Sequence, residues 1–219
     1  MEPYVDRADA GRRLAPLVAA ALHPSSTAPL VLALPRGGVP VGAEVAAALA
    51  APLDVLLVRK LGVPDRPELA FGAIASGGAR VLNEEIVFAA GLDDAVITHV
   101  TDAEQRELRR RELHYRGDRA ALAVARRTVV VVDDGLATGA TMRVAVLALR
   151  DRGAARVIAA APVGSEEACG LLGADADAVV CPLVPHHFKA VGAWYEQFTP
   201  VPDEDVGAVL RRAWAGLSI

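Results

Sequence analysis

Residues 128–132 read Thr-Val-Val-Val-Val, and Asp133 and Asp134 follow at once. Four consecutive β-branched residues without a charge favour a strand over a helix. The run has none of the polar/apolar alternation of a half-exposed sheet, so both of its faces must be covered. Similar apolar runs occur at 30–34, 54–58, 156–161 and 178–181. Helical patterns lie between them at 41–51, 140–152 and around 165–172, and Gly153 supplies a stop. Buried strands alternating with helices predict an α/β architecture built on a parallel sheet. In such sheets ligands bind beyond the carboxyl ends of the strands.

Composition narrows the reading. The chain has 219 residues, 53% of them apolar, which suits a single domain with a sizeable core. Only 4% are aromatic, so Ala, Val and Leu must fill that core and any aromatic cluster stands out. The net charge of −4 argues against a nucleic-acid binder, which needs a basic surface. Cys169 and Cys181 form neither a disulfide framework nor a metal knuckle, and read as reduced thiols. The opening residues Glu2, Asp6, Arg7 and Asp9 do not resemble a signal peptide, and no run reaches the ~20 apolar residues of a membrane span. A cytoplasmic chain is expected.

The segment 129–141, VVVVDDGLATGAT, carries the chemistry. Free N–H groups of a small-residue loop at a helix start make an anion site suited to phosphate. Gly139 allows close approach, and the Thr138 and Thr141 hydroxyls can donate to phosphate oxygens. Two carboxylates just upstream can accept from sugar hydroxyls. An N-cap and a turn would explain single residues, but not two carboxylates at the end of a core strand. The pattern is not a Walker A loop, because the Gly-Lys-Ser/Thr ending is missing.

This segment closely resembles the PRPP-binding signature of type I phosphoribosyltransferases. The resemblance implies a Rossmann-like core over about 28–182 and a small C-terminal hood over about 183–203 joined by the N-terminal segment, while the helical stretch over about 83–127 departs from the family's compact purine enzymes as an insertion. It implies that Asp133 and Asp134 contact the ribose hydroxyls, and that Ala137, Thr138, Gly139, Ala140 and Thr141 cradle the 5′-phosphate. It also implies Mg²⁺, touched by Asp133 and Asp134 only through ribose hydroxyls or water.

Other segments fit that frame. Pro35-Arg36-Gly37-Gly38 follows the first strand, where the family binds pyrophosphate through backbone amides, often beside a non-proline cis peptide. Arg36, Gly37 and Gly38 are therefore pyrophosphate candidates, with Arg59 and Lys60 after the second strand. The stretch 58–72, VRKLGVPDRPELAFG, looks like the start of the family's flexible catalytic loop, with irregular backbone at Gly62, Pro64 and Pro67. In adenine-type relatives a glutamate near the loop's end assists catalysis. Ala70 stands there, so Glu68 is the candidate, and Lys60 joins it. Ala137 stands where hypoxanthine-guanine enzymes carry a proton-transferring aspartate.

Residues 184–201 hold Phe188, Trp194, Tyr195 and Phe198, four of the nine aromatics. Phe188, Trp194 and Tyr195 are candidates to grip an acceptor in the hood, where a stack is worth about 1–3 kcal/mol in nucleic-acid binders. A subdomain core is the other reading. His186-His187 lacks further ligands at metal spacing. The Arg-rich stretch within 83–127 reads as a solvated helix with i,i+4 pairs. The implied activity is transfer of the 5-phosphoribosyl group from PRPP to a nitrogen acceptor, a nucleobase-like small molecule, releasing pyrophosphate. The alternative is a non-catalytic PRPP- or nucleotide-sensing regulator on the same fold. A homodimer is compatible with either.

Overall fold

The computed structural model describes residues 2–22 and 28–215. Five strands form a parallel sheet: β1 Leu30–Ala33, β2 Leu53–Val55, β6 Thr128–Val132, β7 Arg156–Ala160 and β8 Ala178–Val180, in the order β2-β1-β6-β7-β8. A second, antiparallel sheet holds β3 Val58–Val63, β4 Arg66–Ala75 and β5 Arg80–Leu82. The helices are α1 Arg7–Ala21, α2 Gly38–Ala48, α3 Glu84–Ala89, α4 Asp94–Arg116, α5 Ala140–Asp151, α6 Glu166–Gly173 and α7 Asp203–Ala215. Among the described residues no helix is long and apolar enough to cross a membrane.

The valine run has a direct physical reason. Val130 and Val132 face one core, packed by α1, α2, α4 and α7. Val129 and Val131 face a second, packed by α5 and α6. β1 splits in the same way, Val31 and Ala33 to one side and Leu30 and Leu32 to the other. Each buried valine or leucine contributes about 1.5–3 kcal/mol over an exposed one. No position on these strands can therefore be polar until the strand leaves the core, which it does at Asp133.

Two expectations need correction. The second strand is not 54–58: β2 ends at Val55, and Val58 already begins β3 of the other sheet. The stretch 58–72 is not an irregular loop. It is a hairpin in which Val63 pairs with Arg66 across Pro64-Asp65, with register shifts on both sides of Gly62. A Cβ on Gly62 would lie 2.6 Å from the Pro67 carbonyl oxygen, so the glycine lets the proline strand run alongside. Pro64 and Pro67 thus mark a turn and an irregular register within a strand pair. Ser76-Gly77-Gly78 lies in the turn from β4 to β5, with Gly77 and Gly78 at φ 93° and 91°.

The charged helix α4 is also more than a solvated face. The i,i+4 pairs exist, Arg111 to Glu107 and Arg116 to Glu112. But Ile97, Leu108 and Tyr115 are buried in the first core. The Tyr115 hydroxyl donates to Asp203 of α7, and burial together with that carboxylate pushes its pKa up to about 12. Arg116 reaches Asp54 of β2, Nε to Oδ1 at 2.8 Å, with side chains only 7% and 3% exposed. Arg116 also donates to the Val55 carbonyl, and Asp54 accepts from the Val55 N–H. Removing one member of a buried pair leaves an uncompensated charge, at about 3–5 kcal/mol. Arg116→Met should lower the urea-unfolding free energy by about that amount. A loss below about 1 kcal/mol would show that the pair is not needed to seat α4 on the sheet edge.

Candidate functional site

The end of β6 is fixed from both neighbours. The Leu34 N–H donates to the Val132 carbonyl, and the Asp133 N–H donates to the Ala160 carbonyl. The following loop is tethered in turn. Leu136 N–H donates to the Val163 carbonyl, and Ser165 Oγ donates to the Ala137 carbonyl at 2.7 Å. Gly139 takes a left-handed conformation, φ 71°, just before α5, where a Cβ would press on Ala168 at 3.2 Å. The N–H groups of Ala137, Thr138, Gly139 and Thr141 find no protein acceptor among the described residues. A rigid loop ahead of a helix, with unused N–H donors, suits an anion.

The two carboxylates are packed closely. Asp133 Oδ1 accepts the Asp134 N–H at 2.8 Å. Burial, and next the charge of Asp134, push the Asp133 carboxyl well above the usual carboxylate range. Such a group favours partners that donate hydrogen bonds or carry positive charge. Gly37 and Gly38 close over the pair from the turn after β1, beyond a cis peptide between Pro35 and Arg36. A Cβ on Gly37 would collide with Asp134 Oδ2, and one on Gly38 would sit 2.9 Å from the Asp133 Cα. The glycines are required by space, and the structure brings the Arg36-Gly37-Gly38 turn onto the acidic pair.

The proposed cations do not stay together. Arg59 and Lys60 are consecutive on β3, so their side chains take opposite faces. Arg59 pairs with Glu104 of α4 at 2.6 Å, which corrects the expectation of two adjacent cations facing one site. Lys60 is exposed and lines a cleft of about 570 Å³ with Thr141, Ala70 and Asn83. Glu68 is exposed on β4. Among the described residues no group of three or more His, Cys, Asp or Glu could hold a metal.

The hood is built from residues near both ends of the chain. Tyr4 bridges to Tyr195, and the Tyr4 N–H donates to the Trp194 carbonyl. Tyr195, expected to grip an acceptor, is only 6% exposed and lies against Tyr4 and Phe198. Its hydroxyl donates to the Asp134 carbonyl at 2.6 Å, and burial followed by the Asp134 charge pushes its pKa up. Tyr195 therefore ties the hood to the loop. Phe188 and Trp194 are half-buried in the same cluster.

One residue escaped the sequence reading. Arg7 Nε donates to Asp134 Oδ2 at 2.8 Å, its Nη1 donates to the Thr199 carbonyl, and its guanidinium lies 4.0 Å from the Phe198 ring centre. A signal existed. Arg7 is the first residue of α1, where the helix dipole disfavours a cation, and such a placement asks for a partner elsewhere.

The parallel α/β sheet thus brings together paired carboxylates at one strand end, a loop of unused N–H donors after them and a glycine turn closing over them. Comparisons with known proteins give the family. A family model described as phosphoribosyl transferase domain matches residues 18–197. The chain belongs to that family. Two curated relatives from Mycobacterium tuberculosis, provisionally named phosphoribosyl transferases, are 47% identical over 213 residues, 97% of this chain. The chain spans about half the length of those relatives, 47%. The solved structure of TT1426 from Thermus thermophilus is 43% identical, with a TM-score of 0.84 over 97% of this chain and 99% of that one. The AQ2163 protein from Aquifex aeolicus, at 11% identity and a TM-score of 0.51 over 93% of this chain and 84% of that one, shares the fold.

The glycine contact yields a stability test. Gly37→Ala forces a methyl group onto Asp134, and overpacking of this kind costs about 1–3 kcal/mol. Its melting temperature should fall by about 2–4 °C for each of those kcal/mol. Gly170→Ala, where a Cβ meets nothing within 4 Å, should leave it unchanged or raise it. Equal melting curves for the two variants would contradict the close approach.

Proposed function

We propose that this domain binds PRPP and transfers its 5-phosphoribosyl group to a nitrogen nucleophile, releasing pyrophosphate. One observation carries the reading: Asp133 and Asp134 lie between a glycine turn and a loop of free N–H donors. That spacing suits a ribose with a phosphate at each end. The acidic pair accepts from the ribose hydroxyls, residues 137–141 hold the 5′-phosphate, and the Arg36-Gly37-Gly38 turn holds pyrophosphate.

The donor set fits Mg²⁺ only in one way. Arg7 already occupies one oxygen of Asp134, and Asp133 accepts from a backbone N–H. The two carboxylates would therefore hold the ion through water or ribose hydroxyls, while substrate oxygens supply direct ligands, as Mg²⁺ commonly accepts. When bound, the ion would take up leaving-group charge. The chain's own contribution is positioning, charge complementarity and exclusion of water. Glycosyl transfer of this kind passes through a cationic sugar, and the paired carboxylates suit it electrostatically.

Lys60 and Thr141 line the same cleft, and Lys60 is the candidate to meet phosphate charge. Glu68 is retained as the candidate to assist the acceptor. The acceptor would lie under the hood, where Phe188 and Trp194 remain the stacking candidates. Ala137 cannot transfer a proton, so the acceptor must lose its proton by another route.

Asp133→Asn combined with Asp134→Asn should abolish PRPP binding by calorimetry in the presence of Mg²⁺ and leave the fold intact by circular dichroism. Unchanged affinity would overturn the sugar site. Mass spectrometry of the wild-type protein with PRPP, Mg²⁺ and a panel of nucleobases then separates transfer from a regulator that only binds.

A further inference from the structure

The acidic pair is unsymmetrical in a way that its sequence does not show. Asp134 Oδ2 is held by the Arg7 guanidinium, while Oδ1 has no protein donor among the described residues. Arg7 is itself held at three points. Nε goes to Asp134, Nη1 goes to the Thr199 carbonyl, and the flat face lies on Phe198. Its side chain is 11% exposed and that of Asp134 15%. A planar guanidinium fork held at three points fixes the one carboxylate oxygen it touches, which a flexible ammonium would not do. The same oxygen, Oδ2, also faces Gly37, so its position is set before any ligand arrives.

We infer that Arg7 is a positioning residue for the sugar: by holding Oδ2 of Asp134 it leaves the other oxygen to face a ribose hydroxyl. The inference rests on the phosphoribosyl reading above. It adds that recognition of the diol depends on the first turn of α1 and on the hood segment at 198–199, both distant in sequence from the signature segment. Pre-set orientation reduces what binding must spend on ordering the group. The helix dipole argues the same way, because Arg7 stands at the end of α1 that repels cations.

The test compares two probes by calorimetry on the full chain. Ribose 5-phosphate carries the diol, and 2,3-dideoxyribose 5-phosphate lacks it. Wild-type protein should prefer the first. Arg7→Met should reduce that preference by about tenfold, the order expected for a charge-assisted hydrogen bond. The dideoxy ligand should bind it unchanged. Arg7→Lys should fall between, since it restores charge without the fork, and it serves if Arg7→Met does not fold. A merely structural Arg7 would weaken both probes equally, and that result would overturn the inference, as would no change with either. Asp134→Asn separates the two levels. If it leaves the diol preference intact, the sugar site itself fails. If it removes the preference while both Arg7 variants keep it, only the role of Arg7 fails.

Discussion

Everything at this site follows from the cost of placing two carboxylates directly after four buried valines. Desolvation and mutual repulsion push Asp133 toward its neutral form. The surrounding structure answers with particular contacts rather than with open solvent. Arg7 brings a cation to Asp134, Tyr195 binds its carbonyl, and two glycines bring the neighbouring turn within contact. The parts that answer come from the N-terminal helix, the hood and the loop after β1. The acidic pair is thus the point at which sequence-distant elements meet.

The rest of the fold supplies rigidity to that point. The parallel sheet sandwiched between two cores leaves β6 no freedom to slide, since a shift toward the core would draw the Asp133 carboxylate in among apolar side chains. The antiparallel sheet is attached differently. It packs on α5 through Ala75, Ala79 and Ala148, and Arg59 links it to α4 through Glu104. Small residues at such a contact permit close packing with little side-chain interlocking. On its other face the hairpin that carries Lys60 and Glu68 is anchored by Leu61, Val63, Phe71 and Ile74, which are buried in the first core.

The legible parts of the sequence were those in which one local segment does the whole job. The strand 128–132, the loop 137–141 and the Arg36-Gly37-Gly38 turn each state their geometry in consecutive residues. The parallel sheet was legible because burial on two faces removes all alternation. What escaped depends on contacts across the chain. Nothing near Arg59 announces Glu104, which is 45 residues away, and nothing near Asp134 announces Arg7, 127 residues away. Tyr195 was drawn toward the acceptor by the aromatic cluster, yet its hydroxyl is needed at the Asp134 carbonyl. The hairpin at 58–75 was misread because proline and glycine signal turns and irregular strand pairing equally well.

The central claim is that the acidic pair, not the cleft beside the hairpin, receives the sugar. A crystal structure of the chain with PRPP and Mg²⁺ tests it most directly. The account predicts ribose hydroxyls within hydrogen-bond distance of Asp133 and Asp134, the 5′-phosphate on the N–H groups of residues 137–141, and pyrophosphate at the turn of Gly37 and Gly38. A sugar lodged in the cleft between Lys60 and Asn83, with no contact to either aspartate, would contradict it.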